Sequence, residues 1–352
     1  MVKLRSFTRE LLEDIENRID PSTEDDFRNQ WDDFLHHRFT GEIFVPERRT
    51  RSVSSLSRPV IHMNDTLNDM EMMLCAQLLN VSDALASQDR NLSVRANYGT
   101  GILPTVFGAE LFIMPEESET QPATRNLEGE DAMEKLLEHG MPPLTDGLGR
   151  RVFETGEYFR EVFSQYPKIE QYVEIYHPDL QGPLDVCELL CGQGLFYAIY
   201  DDPETVLSVM QLITDTYLAF IAKWQAIISP KGDICCHWDN LMHRGQLVVR
   251  DDTAMNFSPE CYKTFVQPFD AQLMQRHGGV IHFCGRGDHY IHLLKEIPNV
   301  YGVNMSQPHL NNMETIYQNT VDCGIQLLGF DRMTALRDVS RTGGFHSNMH
   351  AV

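Results

Sequence analysis

The chain has 352 residues, 42% of them hydrophobic, with 29 basic against 51 acidic side chains and a formal net charge of -22. That apolar share builds one large core or two modest ones, while the acidic surface repels phosphate backbones and anionic lipid, so nucleic acid and membrane are poor partners. Its eight cysteines include no C-x-x-C and read as thiols of a reducing compartment, not as a disulfide framework.

The first residues, from Met1 through Asp14, lack a signal-peptide core, and no apolar run is expected to reach bilayer length; together these predict a cytoplasmic protein. Residues 7–37 carry helical periodicity with aromatic anchors at Phe27, Trp31 and Phe34, then a basic, Ser-rich connector runs through Arg58. Residues 1–58 are accordingly an N-terminal helical extension, and residues 59–352 the main domain.

From Pro59 short β-branched runs alternate with amphipathic segments. Eight strands are expected, at 59–63, 92–96, 172–176, 233–236, 247–250, 280–283, 300–304 and 326–330. Asp202-Pro203-Glu204 and Ser258-Pro259-Glu260 are helix starts, each with an N-cap, a Pro at the first helical position and an acid in the first turn. The fold class is therefore α/β, with eight parallel strands and crossover helices predicting a (β/α)8 TIM barrel. The competing open, doubly wound sheet lacks its G-x-G-x-x-G turn after the first strand. The connection from 98 to 171, after the second strand, is too long for a βα loop and is read as a lid-like insertion.

The predicted strand ends are polar. They carry Asn64-Asp65, Asn97, His177 with Asp179, His237 with Asp239, Asp251-Asp252, His282 with Cys284, Asn304, and Asp331-Arg332. Within Gly279-Val280-Ile281-His282-Phe283-Cys284-Gly285 the alternation of a strand points His282 and Cys284 to the same side where the strand stops. The bland reading of such a pair is a buried neutral imidazole beside a cysteine serving as a small apolar group. His177 or His237 is a candidate general acid, Asp251 and Asp252 are candidates to orient a ring nitrogen or a ligating histidine, and Asn64, Asn97, Asn304 and Asp331 are candidate cofactor-binding residues on the same rim.

Gln181-Gly182-Pro183-Leu184, Asp201-Asp202-Pro203-Glu204, Asp251-Asp252 leading into Phe257-Ser258-Pro259-Glu260, and His282-Phe283-Cys284-Gly285 occur in an order and spacing that resembles the uroporphyrinogen decarboxylase superfamily, over roughly residues 90–335. That superfamily includes the corrinoid-dependent methyltransferases. The resemblance implies a barrel. It implies zinc held by the H-x-C pair, His282 and Cys284, with a third ligand from a cysteine near the C-terminus. This chain departs from the pattern there: Gly343-Gly344-Phe345-His346 puts His346 in that place, with His350 behind it and His237 as a geometric alternative, whereas Cys323 falls on the opposite rim. Decarboxylases of porphyrinogens use arginines after the first strand, where this chain has His62-Met63-Asn64-Asp65-Thr66-Leu67-Asn68-Asp69. Acids there would repel a many-carboxylate substrate.

The resemblance thus implies a methyltransferase working between a small methylated compound or thiol acceptor and a corrinoid supplied by a partner protein, in a chain that is a candidate homodimer. A metal-free decarboxylase or lyase using Asp251 or Asp252 with a histidine, and a non-catalytic small-molecule-binding barrel, are the other readings.

Overall fold

A computed structural model describes residues 3–129 and 131–352. Met1 and Val2, which begin the stretch read for a leader, and Glu130 of the insertion lie outside the described residues. Among the described residues twelve strands form: β1 Ile43–Phe44, β2 Ser93–Val94, β3 Glu110–Phe112, β4 Ala123–Arg125, β5 Glu174–Ile175, β6 Ile234–His237, β7 Leu241–Arg244, β8 Leu247–Arg250, β9 Gly279–Phe283, β10 Val300–Met305, β11 Gln326–Phe330 and β12 Met349–Ala351.

The main sheet has six strands in the order β1-β12-β11-β10-β9-β8, and every pairing within it is parallel. Among the described residues β2 pairs only with β5, β3 with β4, and β6 with β7 as an antiparallel hairpin. The expected closed barrel is therefore corrected: the sheet does not close, and β8 is an edge. Side chains bridge where a ladder would continue. Val248 N donates to His177 Nε2 at 3.1 Å, Cys236 N to a carboxylate oxygen of Glu174 at 2.7 Å, and the Ser93 hydroxyl to the Trp238 carbonyl at 2.7 Å. The physical reason is the hairpin: after His237 the chain reverses through Trp238-Asp239-Asn240 and pairs with itself instead of crossing over a helix.

Alternation along the sheet separates two cores. Val249, Ile281, Val303 and Leu327 face the helices and join the larger one. Val248, Val280 and Leu328 face the hairpin and pack with Cys236, Leu241 and Met242 over Phe27, Trp31 and Phe34 of the helix Pro21–Leu35. The N-terminal segment thus seals one end of the sheet and adds β1 to its edge.

Seven of the eight expected strands form, at β2, β5, β6, β8, β9, β10 and β11. The eighth does not: residues 59–62 are irregular and Met63 opens the helix Met63–Asn68, with Val60 80% exposed and so contributing nothing to a core. Both predicted helix starts hold, with Asp202 accepting from Thr205 N and Ser258 from Cys261 N. The helix Pro203–Ile227 is, at 25 residues, long and apolar enough by composition to cross a membrane, which corrects the expectation that no run would be. Here it is a core helix, burying Val206, Ile213, Tyr217, Phe220 and Trp224. All eight cysteines are free thiols.

Candidate metal centre

Parallel register sets three side chains in a row. Arg250 of β8 pairs with His282 of β9, and His282 with Asn304 of β10. Each lies two residues beyond Val248, Val280 or Gly302 and so shares the hairpin-facing side of the sheet, with Cys284 one step past the end of β9. Asp251 takes the alternate direction, into the helix layer. The turn Asp252–Asn256 that follows is held by Asp185, whose carboxyl oxygens accept from Asp252 N at 2.9 Å and Thr253 N at 2.8 Å. The held turn brings Asp252 back over the strand ends.

The result is a cluster in which one ligand atom each from Asp252, His282 and Cys284 lies within 4.8 Å of the others. Cys284 Sγ is 3.4 Å and Asp252 Oδ1 3.5 Å from His282 Nε2, and Asp252 Oδ1 also accepts from Cys284 N at 2.7 Å. On the far side of the ring, His282 Nδ1 lies 2.5 Å from Asn304 Oδ1, while Asn304 Nδ2 donates to the Leu328 carbonyl at 2.6 Å. Because the amide hydrogens are committed to Leu328, Asn304 presents its oxygen to the ring, which assigns the proton to Nδ1 and leaves the Nε2 lone pair facing Cys284 and Asp252.

Burial lowers the His282 imidazole from its usual value against the opposing pull of Asp252, and burial pushes the Cys284 thiol up. The resting set is thus a neutral imidazole and a thiol, with an oxygen of Asp252 beside them. Nitrogen, sulfur and oxygen donors of this kind suit zinc, and ligands at about 2.0–2.3 Å in a tetrahedron stand about 3.3–3.8 Å from one another, which the 3.4 and 3.5 Å separations match. Three protein ligands leave a fourth position open, as catalytic sites do.

A cavity of about 610 Å³ opens beside the cluster, lined in part by Trp238, Asp239, His282, Asn304, Ser306 and Asp331. Trp238 sits at the hairpin tip with φ 55°, in the left-handed region, its ring edge-on to His282 at 5.5 Å between centroids. Arg250 lies 5.1 Å from that ring, but its guanidinium is held at 2.7 Å by Asp179, which Arg95 approaches at 3.6 Å and Gln181 bonds at 2.6 Å.

The structure thus brings together His282, Cys284, Asn304, Asp331, Asp252 and Asp239 among the residues singled out from sequence. The others lie elsewhere. His346 is half-exposed and 3.5 Å from Asp322, in the turn before β11, at the opposite end of the strands from Cys284. His350 packs against Trp31 and accepts from Gly329 N at 2.9 Å, and exposed Cys323 bonds the Gln318 carbonyl. His177 spends both nitrogens on the Pro178 carbonyl and Val248 N, and burial lowers it to about 4. His237 is fully buried among the rings of Tyr176, His177 and Trp238, and burial lowers it strongly. Asp251 is fully buried beside Asp270, and burial raises both, Asp270 to about 7. Asn64 bonds the Met114 carbonyl within the insertion, and neither it nor Asn97 lines the cavity. Trp238, Ser306 and Asp185 were not singled out from sequence. Ser306, two residues past Asn304 on the same strand, was findable from the alternation that pairs His282 with Cys284.

No protein-family model matches the chain, and no curated protein matches it. Among solved structures it is similar to a methyltransferase from Methanosarcina mazei, with a TM-score of 0.61 over 86% of this chain and 81% of that one, at 14% sequence identity. At that identity the likeness is one of fold.

Proposed function

We propose that this chain is a methyltransferase moving a methyl group between a small methylated compound, or a thiol acceptor, and a corrinoid carried by a separate protein, with zinc held by His282, Cys284 and Asp252. The observation that carries this reading is the N, S, O cluster beside an open cavity, with His282 fixed in the ligating tautomer by Asn304. The fold likeness to a methyltransferase supports it.

Bound there, zinc would hold a sulfur ligand as thiolate at neutral pH, a state that Cys284 and an incoming thiol do not reach unaided. The chain's own groups do the rest. Asn304 holds the proton on His282 Nδ1, Asp185 fixes the turn that presents Asp252, and Trp238 walls the cavity next to the imidazole. Of the groups that a metal-free decarboxylase or lyase would use, Asp251 faces the helix layer and neither His177 nor His237 lines the cavity, which leaves Asp252 with His282, the pair that the zinc reading takes as ligands.

The test is metal content. Purified chain should carry about one zinc, lost in a His282→Ala, Cys284→Ala double variant and weakened in Asp252→Ala, while His346→Ala keeps it. Zinc retained by the double variant, or full methyl transfer by zinc-free protein, would overturn the reading. A cytoplasmic location, a corrinoid-protein partner and a homodimer belong to the same proposal.

A further inference from the structure

The walls of the cavity say what kind of small molecule it takes. Its described lining holds two carboxylates, Asp239 and Asp331, with neutral amides and hydroxyls between them, and neither lysine nor arginine. Asp331 begins the turn after β11 and caps the helix Arg332–Asp338, accepting from Thr334 N at 2.7 Å. That bond keeps its carboxyl below the usual range and therefore charged. Asp239 is partly compensated by Arg90 at 3.2 Å, and Arg250, which gives one guanidinium nitrogen to Asp179 at 2.7 Å, already stands over the Trp238 ring at 5.1 Å; neither arginine lines the space itself.

His282, Met305, Gly329 and Val352 complete the lining with the Trp238 indole, its one large aromatic surface among the described residues. A bulky aromatic residue in the left-handed region, φ 55°, is strained, which points to a use for the side chain where it stands. An indole with carboxylates around it attracts an ammonium or sulfonium centre through its ring quadrupole, and repels anions that would also meet Asp239 and Asp331. At a distance, the net charge of -22 draws small cations toward the surface.

We infer that the small molecule handled in this cavity is an organic cation of the alkylammonium or sulfonium type, and not a carboxylate, sulfonate or phosphate. This rests on the proposed function for what happens to the ligand, but not for its binding. The experiment titrates tetramethylammonium chloride into the metal-loaded full-length chain, with sodium methanesulfonate in parallel, reading heat and tryptophan fluorescence. Saturable binding of tetramethylammonium alone is expected. Trp238→Ala should weaken it by about tenfold and Asp331→Asn by several-fold, while Trp238→Phe keeps most of it and zinc content stays unchanged in all three. Asparagine is itself a good helix cap, so Asp331→Asn removes the charge without unfolding the turn.

Binding of methanesulfonate in place of tetramethylammonium, or tetramethylammonium binding unaltered in both Trp238→Ala and Asp331→Asn, would overturn the inference. Zinc-free protein that binds tetramethylammonium and still carries out full methyl transfer would leave it standing and remove the zinc-assisted methyltransferase reading. Zinc-loaded protein that binds no tetramethylammonium would do the reverse.

Discussion

His282 is made a donor by Asn304. One amide oxygen at 2.5 Å decides which ring nitrogen keeps the proton, and one amide nitrogen at 2.6 Å from Leu328 decides which way that oxygen points. Asn304→Ala should therefore lower zinc affinity about 10–100-fold, measured by competition with a chelator, with the fold intact by circular dichroism. Unchanged affinity would mean that the tautomer is set by something else. At this scale the sequence was half informative. The H-x-C pair and Asn304 follow from alternation along adjacent strands, which is local. The third donor is not local: Asp252 reaches the cluster because Asp185, 67 residues earlier in the chain, holds its turn, and nothing in the spacing announces that. The terminal histidine at 346 matched a pattern of position, but the chain turns after Arg341 and leaves that ring beside Asp322, away from the mouth.

Among the elements, those with a hydrophobic pattern and several partners were legible. β8 and β11 have the predicted bounds because Leu247–Arg250 and Gln326–Phe330 alternate between two cores, each with its own claim on one face. β7 and β12 escaped because Leu-Met-His-Arg and Met-His-Ala look like loops until their histidines are seen to be buried. The run at 59–63 misled in the opposite sense, being β-branched without a neighbouring strand. Joining β7 to β8 is Gly245, with φ 80° and no room for a side chain: a Cβ would stand 2.3 Å from the Gly278 carbonyl carbon. Strain and clash act together there, so Gly245→Ala should destabilise by about 2–4 kcal/mol, read as a lowered urea midpoint at unchanged slope. A midpoint within error of the parent would show that the hairpin can shift.

For the whole molecule, the two chain ends meet under the sheet. His350 of β12 lies 4.5 Å from the Trp31 ring and 5.8 Å from that of Phe44, and burial lowers its imidazole to about 3. The unfolded chain takes that proton near pH 6.5 and the folded chain does not. Its contribution to stability is therefore complete above pH 6.5 and falls, by about 1.4 kcal/mol per pH unit, as pH drops below it. The buried carboxyls of Asp185 and Asp270, raised to about 8 and about 7, act with the opposite sign, so the group is isolated by comparison with a variant. The stability gap between the parent chain and His350→Gln should narrow between pH 6.5 and 4, and a gap independent of pH would contradict the assignment.

The unclosed wall has a mechanical meaning. Beside β5 the sheet is fastened by side chains instead of rungs of backbone: the His177 imidazole just after β5 takes Val248 N of β8, and the Glu174 carboxyl takes Cys236 N of β6. The metal donors stand on the continuous parallel ladder, at the ends of β8 and β9, while Trp238 and its hairpin are tied to the neighbouring strands by single side chains, so donor spacing is set by backbone register and the cavity wall by side-chain contacts.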